Sequence, residues 1–306
     1  MIINKKIKTV NIAKKGREMM RPFFFPYVYI SEKKLIWRFV MEESKNTMRD
    51  AIRKNYADVA LKGTTGGGCC CSSGCCCGDS AADIKETSMR IGYTEEELDG
   101  TPIEANMGLG CGNPIAIAAI QQGDTVLDLG SGGGFDCFLA RRKVGDSGTV
   151  IGVDMTAEMI TLARENAIKS GYTNVEFRLG EIEHLPVADS SIDIIISNCV
   201  INLSLDKERV FQEAFRVLKS GGRLSISDIV ATAELPDEIK QDLRMRAGCI
   251  AGAEYIDHIH KMLKDAGFVN IKLTPKDNSR EILKTWIPDK KIEDYVESYI
   301  IEGSKQ

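Results

Sequence analysis

Residues 126–154 read VLDLGSGGGFDCFLARRKVGDSGTVIGVD and decide the fold of this chain. A short apolar run leads into a glycine-rich turn, a helical stretch follows, and a second apolar run ends at Asp154. The first run is typical of a buried parallel strand, and glycine allows both a sharp turn and the close approach of a ligand. This order predicts the start of a parallel sheet that binds a nucleotide cofactor at the turn.

The spacing of the glycines separates two classes of cofactor. Gly130, Gly132 and Gly134 follow a G-x-G-x-G pattern. Phe135 stands where the dinucleotide pattern G-x-G-x-x-G needs its last glycine, so NAD is the weaker interpretation. Asp154 lies 24 residues after Gly130, where a carboxylate can accept hydrogen bonds from both ribose hydroxyls. The alternative without a ligand is a tight turn in the sheet, with Asp154 as the N-cap of the next helix.

The later segments continue the alternation of helices and strands and predict an α/β fold, a Rossmann-like, doubly wound and mostly parallel sheet with helices on both faces. Gly221 and Gly222 are expected to close a helix, and the tail after residue 230 is expected to complete the sheet and cover the site. Predicted helices cover 157–170, 206–219, 237–246 and 254–266, and predicted strands cover 174–179, 192–197, 224–227, 269–273 and 295–302. Ligands bind beyond the carboxyl ends of parallel strands. The residues expected at that rim are Asp154, Glu181, Asn198 and Cys199.

The composition is that of an ordinary globular protein, with 306 residues, 43% hydrophobic content and a net charge of −4. The charge is uneven, because residues 1–40 hold ten Lys or Arg against two Glu, a net charge of +8. The apolar run 23–30 is far shorter than the roughly 20 residues that span a bilayer, so neither a membrane segment nor a signal peptide is predicted. Met41 opens an acidic and then helical stretch, so translation is expected to begin there, with residues 1–40 an upstream artefact. The alternative is a basic arm that binds an anionic surface.

Ten cysteines without a secretory segment predict reduced thiols in the cytoplasm rather than a disulfide scaffold. Six of them form a cysteine cluster within the low-complexity stretch 63–80: Cys69, Cys70, Cys71, Cys75, Cys76 and Cys77. Their spacing differs from the paired C-x₂-C motifs of a zinc site, which favours a mobile thiol donor for a soft ion or a redox partner. The others are Cys111, Cys137, Cys199 and Cys249. An isolated cysteine after a buried strand is most often a small core residue, and this interpretation stays open for Cys199.

Seven short runs of this sequence resemble the arsenite S-adenosylmethionine methyltransferases. They are NMGLGCGNP, VLDLGSGGGFDC, GVDMT, GEIEHLPV, ISNCVINLS, FRVLKSGGRLSISDIV and CIAGA, and the resemblance extends from about Arg49 to the C-terminus. The glycine turn and its acid are common to Rossmann-like methyltransferases and imply only S-adenosylmethionine, whereas SNCVINL and the cysteine of GLGCGNP point to arsenic. The cofactor-binding residues that the resemblance implies are Asp128, Gly130, Ser131, Gly132, Gly134, Asp154, Met155, Gly180, Glu181, Ile182 and Asn198.

The resemblance also implies roles for the thiols. Cys111, Cys199 and Cys249 would bind As(III), and a further upstream cysteine would take part in redox cycling. That position falls in the cysteine cluster, where Cys70 and Cys71 are the first choices. Thiolates are soft ligands that suit a thiophilic ion such as As(III). A trivalent arsenic keeps a lone pair that can attack a methyl group directly, so no general base is required.

Four further side chains receive simpler interpretations. Cys137 is expected to be structural, because it lies at the start of the helix after the glycine turn. His184 stands in a loop, either near the adenine or on the surface. His258 and His260 are two residues apart on a predicted helix and therefore on different faces, which argues against a shared metal.

The sequence thus predicts a cytoplasmic, monomeric enzyme that transfers methyl groups from S-adenosylmethionine to thiolate-bound arsenite and methylarsenite, in arsenic detoxification. Its expected partners are the small-molecule substrate and a thiol reductant, such as thioredoxin or small thiols, with no nucleic acid and no membrane. The alternatives are a methyltransferase acting on another nucleophile and a non-catalytic, thiol-based metalloid-binding protein. The expected domains are a basic extension (1–40), an N-terminal helix with the cysteine cluster (41–85), an S-adenosylmethionine-binding domain (86–230) and a small C-terminal substrate-binding or cap region (231–306).

Overall fold

The computed structural model of this chain describes residues 32–62, 81–240, 242, 245–246, 248–286 and 290–306. The chain divides into two compact units, Met1–Glu43 and Ser44–Gln306. Residues 32–43 of the first unit belong to helix α1 (Glu32–Lys62), and the other described elements belong to the second unit. The cysteine cluster, with Cys70 and Cys71, lies outside the described residues.

The second unit is built on a mixed β-sheet. Its described strands are β1 (Thr125–Leu129), β2 (Thr149–Asp154), β3 (Val175–Leu179), β4 (Ile192–Asn198), β5 (Leu218–Ala231), β6 (Glu254–Tyr255), β7 (Val269–Pro275) and β8 (Val296–Ser304). The order is β3-β2-β1-β4-β5-β8-β7, and β6 pairs with β5. The strands β1 to β5 pair in parallel, whereas β8 is antiparallel to both β5 and β7. The predicted Rossmann-like, mostly parallel sheet is confirmed.

Helices cover both faces of this sheet. The described helices of this unit, besides α1, are α2 (Ala81–Arg90), α3 (Glu95–Asp99), α4 (Phe135–Val144), α5 (Ala157–Lys169), α6 (Lys207–Val217), α7 (Asp237–Lys240), α8 (Ile256–Ala266) and α9 (Ser279–Trp286). Successive residues of a strand point to opposite faces. Val126 of β1 accordingly packs with Phe138 of α4 in one buried cluster, and Leu127 packs with Phe211 of α6 in another. The parallel strands are apolar on both sides because both sides are covered.

The structure corrects four details of the predicted elements. Helix α1 begins at Glu32 rather than near residue 41, and helix α9 was not predicted. Glu254–Tyr255 forms strand β6, so helix α8 begins later than expected. Gly221 and Gly222 lie inside β5 instead of closing α6. The register explains this last difference. Leu218 of β5 pairs with Ile192 of β4, and the next pair joins Arg223 to Ile194, so Gly221 and Gly222 lie in the irregular part of β5 between these two pairs.

The C-terminal tail completes the sheet through β7 and β8, as the sequence predicts. The parallel strands all end at one edge, where the loops after β1, β2, β3 and β4 lie together. Within the described ranges, no helix combines the length and the apolar character that a membrane span requires.

Candidate active site

A cleft opens at the carboxyl ends of the parallel strands, and the glycine turn after β1 forms part of its wall. The amides of Gly130 and Ser131 donate to the carbonyl oxygen of Val153, at 2.7 and 3.0 Å, which fixes the turn against β2. Gly132 has a φ of 50°, and a Cβ atom at this position would meet no heavy atom within 4 Å. The turn therefore leaves open backbone on which a ligand can lie closely.

Asp154 holds the glycine turn from the end of the neighbouring strand. One carboxylate oxygen accepts a hydrogen bond from the Gly132 amide at 3.0 Å, and the other accepts from the Thr156 amide at 2.8 Å. Burial raises the pKa of this carboxyl above its ordinary value. Thr156 itself is the N-cap of α5, so the interpretation of Asp154 as that N-cap is wrong. The carboxylate instead belongs to the wall of the cleft.

Two more carboxylates line the same cleft. Asp136 accepts hydrogen bonds from the Tyr93 hydroxyl at 2.6 Å and from the Asn198 amide nitrogen at 3.3 Å. Asp128 accepts from the Cys137 thiol at 3.3 Å. Burial raises the pKa of Asp136 to about 6, and burial together with the charge of Asp136 raises the pKa of Asp128 well above its ordinary value. A buried acidic wall favours a cationic ligand, which would compensate the desolvated charge.

The three cysteines predicted to bind arsenic come together from distant parts of the sequence. Cys111 and Cys199 are joined in a disulfide with a Cα–Cα distance of 5.9 Å. The Cys249 thiol donates to the carbonyl oxygen of Cys199 at 2.6 Å, and all three residues belong to one buried cluster. Burial raises the pKa of the Cys249 thiol well above its ordinary value. Among the three, Cys199 lines the cleft, so the sulfur group lies directly beside the predicted cofactor site.

Two of these cysteines have an unusual backbone conformation. Cys199 has a φ of 55° and Cys249 a φ of 64°, in the left-handed region that favours glycine. Such a conformation costs a non-glycine residue on the order of 1–3 kcal/mol and persists only where the surroundings hold it. The neighbouring hydrogen bonds must therefore hold both cysteines in place against this preference.

Side chains from three parts of the chain hold the backbone of Cys111. Its amide donates to the Asn198 side-chain oxygen at 3.0 Å, and its carbonyl oxygen accepts from Lys276 at 3.2 Å and from the Ser298 hydroxyl at 3.0 Å. Lys276 also donates to the carbonyl oxygen of Ile91 at 2.8 Å, and burial lowers its pKa to about 8. The C-terminal region therefore holds one of the three cysteines.

Asn198 connects the cofactor cleft with the cysteines. Its side-chain nitrogen donates to the Tyr93 hydroxyl at 2.9 Å and to the Gly112 carbonyl oxygen at 2.8 Å, while its oxygen accepts from Cys111. A Cβ atom at Gly110 would lie 2.6 Å from the same nitrogen. The glycine-rich loop around Cys111 thus packs directly on a residue of the cleft.

Most of the predicted cofactor-binding residues lie in the wall of the cleft: Asp128, Gly130, Ser131, Gly132, Asp154, Met155, Gly180, Ile182 and Asn198. Gly134 and Glu181 are placed differently. Gly134 begins α4, and a Cβ atom there would come within 2.8 Å of the Phe177 ring, so this glycine serves helix packing. Glu181 forms ion pairs with Arg49 at 3.5 Å and with Arg53 at 3.3 Å.

Sequence reasoning missed several residues of the site. Arg49, Ile52 and Tyr56 of α1 line the cleft, as does Tyr93, and no motif of the sequence marks them. Asp136 lies within the quoted glycine run and could have been noticed as a carboxylate in the first turn of α4.

Comparisons with known proteins agree with this geometry. A profile of the family described as "Methyltransferase domain" matches residues 120–267. The arsenite methyltransferase of Halobacterium salinarum is 47% identical over 268 residues, which cover 87% of this chain and 68% of that protein. The human arsenite methyltransferase is 40% identical over 168 residues, 52% of this chain and 44% of the human protein. The chain thus spans about two thirds of the first relative and less than half of the second.

A solved structure is also similar. The crystal structure of an arsenic(III) S-adenosylmethionine methyltransferase from Chlamydomonas reinhardtii has a TM-score of 0.54 and 32% sequence identity, covering 73% of each chain. These similarities confirm the resemblance, the enzyme class, the cofactor and the arsenic substrate that the sequence predicts. The chain belongs to the arsenite methyltransferase family.

Proposed function

We propose that this chain methylates trivalent arsenic held by Cys111, Cys199 and Cys249, with S-adenosylmethionine bound in the adjacent acidic cleft. One observation carries the proposal: the bonded pair Cys111–Cys199 and the Cys249 thiol lie together against that cleft. Three cysteines in one buried cluster provide the sulfur ligands that a thiophilic ion prefers. The contact of Asn198 with both groups supports a methyl donor and acceptor held side by side.

The residues of the cleft fit the proposed cofactor. The open backbone at Gly132 accommodates a closely lying ligand, and Asp154 is placed to accept hydrogen bonds from ribose hydroxyls. Asp128 and Asp136 provide negative charge for a ligand with an ammonium and a sulfonium group. When bound, S-adenosylmethionine supplies an electrophilic methyl group. The protein contributes alignment and the exclusion of water.

Arsenic binding requires the cysteines in their reduced state. Reduction of the Cys111–Cys199 disulfide by two electrons and two protons gives two thiols, and Cys249 provides the third. Arsenite exchanges its three hydroxyl groups for the three thiolates, and each thiol proton leaves with a hydroxyl group as water. The raised pKa of Cys249 is compatible with this exchange, because its proton is removed as the arsenic–sulfur bond forms.

The same cysteines can balance the electrons of the reaction. The arsenic lone pair forms the new arsenic–carbon bond, so the arsenic becomes formally pentavalent. The arsenic–sulfur bonds to Cys111 and Cys199 then break, the two sulfurs form a disulfide, and two electrons of these bonds return arsenic to the trivalent state. Water supplies a hydroxyl group to the methylated arsenic, which stays bound to Cys249, and one proton is released. The disulfide of this structure corresponds to the oxidised product of that step. We propose that an external thiol reductant, thioredoxin or a small thiol, regenerates the dithiol, and that the cysteine cluster passes on its electrons.

The proposed biological role of the enzyme follows from this chemistry. Methylation of arsenite is proposed to serve arsenic detoxification, with arsenite and methylarsenite as substrates. A cytoplasmic location and a monomeric state remain predictions from the sequence.

A single-turnover experiment tests the redox assignment. A chain whose six cluster cysteines are changed to Ser, so that they cannot reduce the disulfide again, is fully reduced, freed of reductant, and given arsenite with one equivalent of S-adenosylmethionine. Free thiols are then alkylated and the peptides are mapped by mass spectrometry. The proposal expects one S-adenosylhomocysteine and one methylated arsenical per chain, with Cys111 and Cys199 recovered as a disulfide. Formation of S-adenosylhomocysteine without arsenite would support a different nucleophile. Binding of arsenite without S-adenosylhomocysteine would support a metalloid-binding protein.

A further inference from the structure

Asn202 lies three residues after Cys199, in the ISNCVINLS run, and the reaction described above gives it no role. It is only 2% exposed. Its side-chain nitrogen lies 3.1 Å from the carbonyl oxygen of Cys249, 2.6 Å from that of Ile229 and 2.9 Å from a carboxylate oxygen of Asp228. The two N–H groups of one amide thus serve three acceptors. This side chain ties the segment of Cys199 to the segment of Cys249.

Asp228, at the end of β5, anchors Asn202 and its segment. It is also 2% exposed, and besides Asn202 it accepts hydrogen bonds from the amides of Ile201 at 2.9 Å and Ile229 at 2.7 Å. The amide of Cys199 donates to the carbonyl oxygen of Ser227 at 2.8 Å. The backbone on both sides of the turn at Cys199 is therefore fixed to β5.

Close packing restricts the movement of the backbone around Asn202 and Cys249. A Cβ atom at Gly252 would collide with the carbonyl oxygen of Asn202, so the segment after Cys249 lies directly against the backbone of Asn202. Cys199 and Cys249 both have positive φ values, which their local sequence does not favour. The Asn202 side chain belongs to the Cys199 segment and hydrogen-bonds the backbone of the Cys249 segment, in addition to the direct hydrogen bond between the two cysteines.

We infer that Asn202 is a positioning residue that sets the separation of Cys199 and Cys249 for a single arsenic ion. This inference rests on the proposed function, because it gives the two thiols a common substrate. A trivalent arsenic with short bonds to sulfur tolerates little change in the separation of its ligands. Loss of the Asn202 amide should release the Cys249 loop and weaken arsenic binding while leaving the cofactor cleft intact.

A matched pair of variants tests the inference in the full chain. Asn202→Ala removes the amide between the cysteines. Asn166→Ala removes another fully buried asparagine, whose amide donates to the carbonyl oxygen of Gly133 in the glycine turn at 3.1 Å. KM for arsenite and for S-adenosylmethionine is measured from S-adenosylhomocysteine formation, with a phosphine reductant that leaves arsenite free. Arsenite affinity is then measured by equilibrium dialysis in a chain whose six cluster cysteines are changed to Ser, so that the cluster does not bind the ion.

Asn202→Ala should raise the arsenite KM and the dissociation constant roughly tenfold or more and leave the S-adenosylmethionine KM within about twofold. Asn166→Ala should raise the S-adenosylmethionine KM instead. Unchanged arsenite affinity in Asn202→Ala, or an equal loss for both ligands, would overturn the inference. If the six-Ser chain with Asn202 intact itself fails to bind arsenite, the proposed function fails and not this inference alone.

A second variant keeps the test informative if Asn202→Ala does not fold. Gly252→Ala places a methyl group against the Asn202 carbonyl and changes the spacing without removing a polar group. It should weaken arsenite binding in the same direction, at an unchanged affinity for S-adenosylmethionine. Arsenite binding of wild-type strength in a folded Gly252→Ala protein would contradict the inference.

Discussion

The two halves of the site are assembled in different ways. The central part of the cofactor side is almost continuous in sequence, since the glycine turn, Asp154 and the loop after β3 fall within about 60 residues. Backbone hydrogen bonds and the Asp154 carboxylate hold the turn. The proposed arsenic side combines Cys111, Cys199 and Cys249, which are far apart in the sequence. The disulfide joins residues separated by 88 positions, and the hydrogen bond from Cys249 to Cys199 joins residues separated by 50. Side chains of distant residues hold this side of the site.

This difference predicts which substitutions impair ligand binding in each half of the site. A β-α-β unit sets its own turn through local hydrogen bonds, so the cofactor cleft should survive changes elsewhere in the chain. The proposed arsenic side depends on Asn198 and Asn202 of the ISNCVINLS run and on Lys276 and Ser298 of the C-terminal region. Its proposed ligands also include two non-glycine residues with positive φ. Changes at each half should therefore affect one ligand and spare the other.

The largest effect is expected from the loss of an arsenic ligand. Cys199→Ser replaces a soft thiolate by a hard hydroxyl group, and arsenite-dependent turnover should fall at least roughly 100-fold because As(III) prefers sulfur. The affinity for S-adenosylmethionine, measured by calorimetry, should stay within about twofold. Cys137→Ser is the matched control, since Cys137 is fully buried and its hydrogen bond to Asp128 can be kept by a hydroxyl group. Full activity of Cys199→Ser would remove this residue from the ligand set.

The next effect is expected on the cofactor side. Asp154→Ala removes the acceptor of two amides and of the predicted ribose contact, so the dissociation constant of S-adenosylmethionine should rise roughly 10- to 100-fold. Arsenite affinity should be unchanged. Asp193→Ala is the control, because Asp193 accepts a hydrogen bond from the Thr125 amide near the opposite end of the strands. A comparable loss of both ligands in Asp154→Ala would mean that the two halves are not independent.

A smaller effect is expected from the C-terminal region. Lys276→Met leaves the carbonyl oxygens of Ile91 and Cys111 without their ammonium donor, and the arsenite KM should rise by about tenfold. Lys305 also donates to two carbonyl oxygens, those of Phe215 and Leu218, but away from the cysteines. Lys305→Met should therefore leave the arsenite KM unchanged. Equal kinetics of the two variants would show that Lys276 does not position Cys111.

The smallest effect is expected for the pH dependence of S-adenosylmethionine binding. Burial raises the pKa of Asp136 to about 6, so this carboxyl is neutral at pH 5 and ionised at pH 7.5. Cationic S-adenosylmethionine should bind the ionised form better, and its affinity should rise a few-fold between those pH values. S-adenosylhomocysteine lacks the sulfonium charge and should show a smaller change. Asp136→Asn should remove the part of the dependence near pH 6, and an unchanged profile would contradict the assignment.

The sequence predicts the two halves unequally, for physical reasons. The sequence identifies Gly130, Gly132 and Asp154, because the glycine turn and its acid lie within one short stretch of the chain. The pairing of Cys111 with Cys199 was not foreseen, since the sequence favours reduced thiols and the contact depends on tertiary packing. Lys276 and Asn202 act through long-range hydrogen bonds, which leave no pattern in the sequence. The bulge that carries Gly221 and Gly222 into β5 likewise depends on the register with β4.

The central claim is that one cleft and three cysteines act together to methylate arsenic. The most direct measurement incubates the full chain with isotopically labelled S-adenosylmethionine, arsenite and a thiol reductant, then separates methylated arsenicals and counts S-adenosylhomocysteine. We predict one S-adenosylhomocysteine for each labelled methyl group found in the arsenicals, both dependent on arsenite and both lost in Cys199→Ser. Tight binding of S-adenosylmethionine without any arsenite-dependent product would contradict the claim.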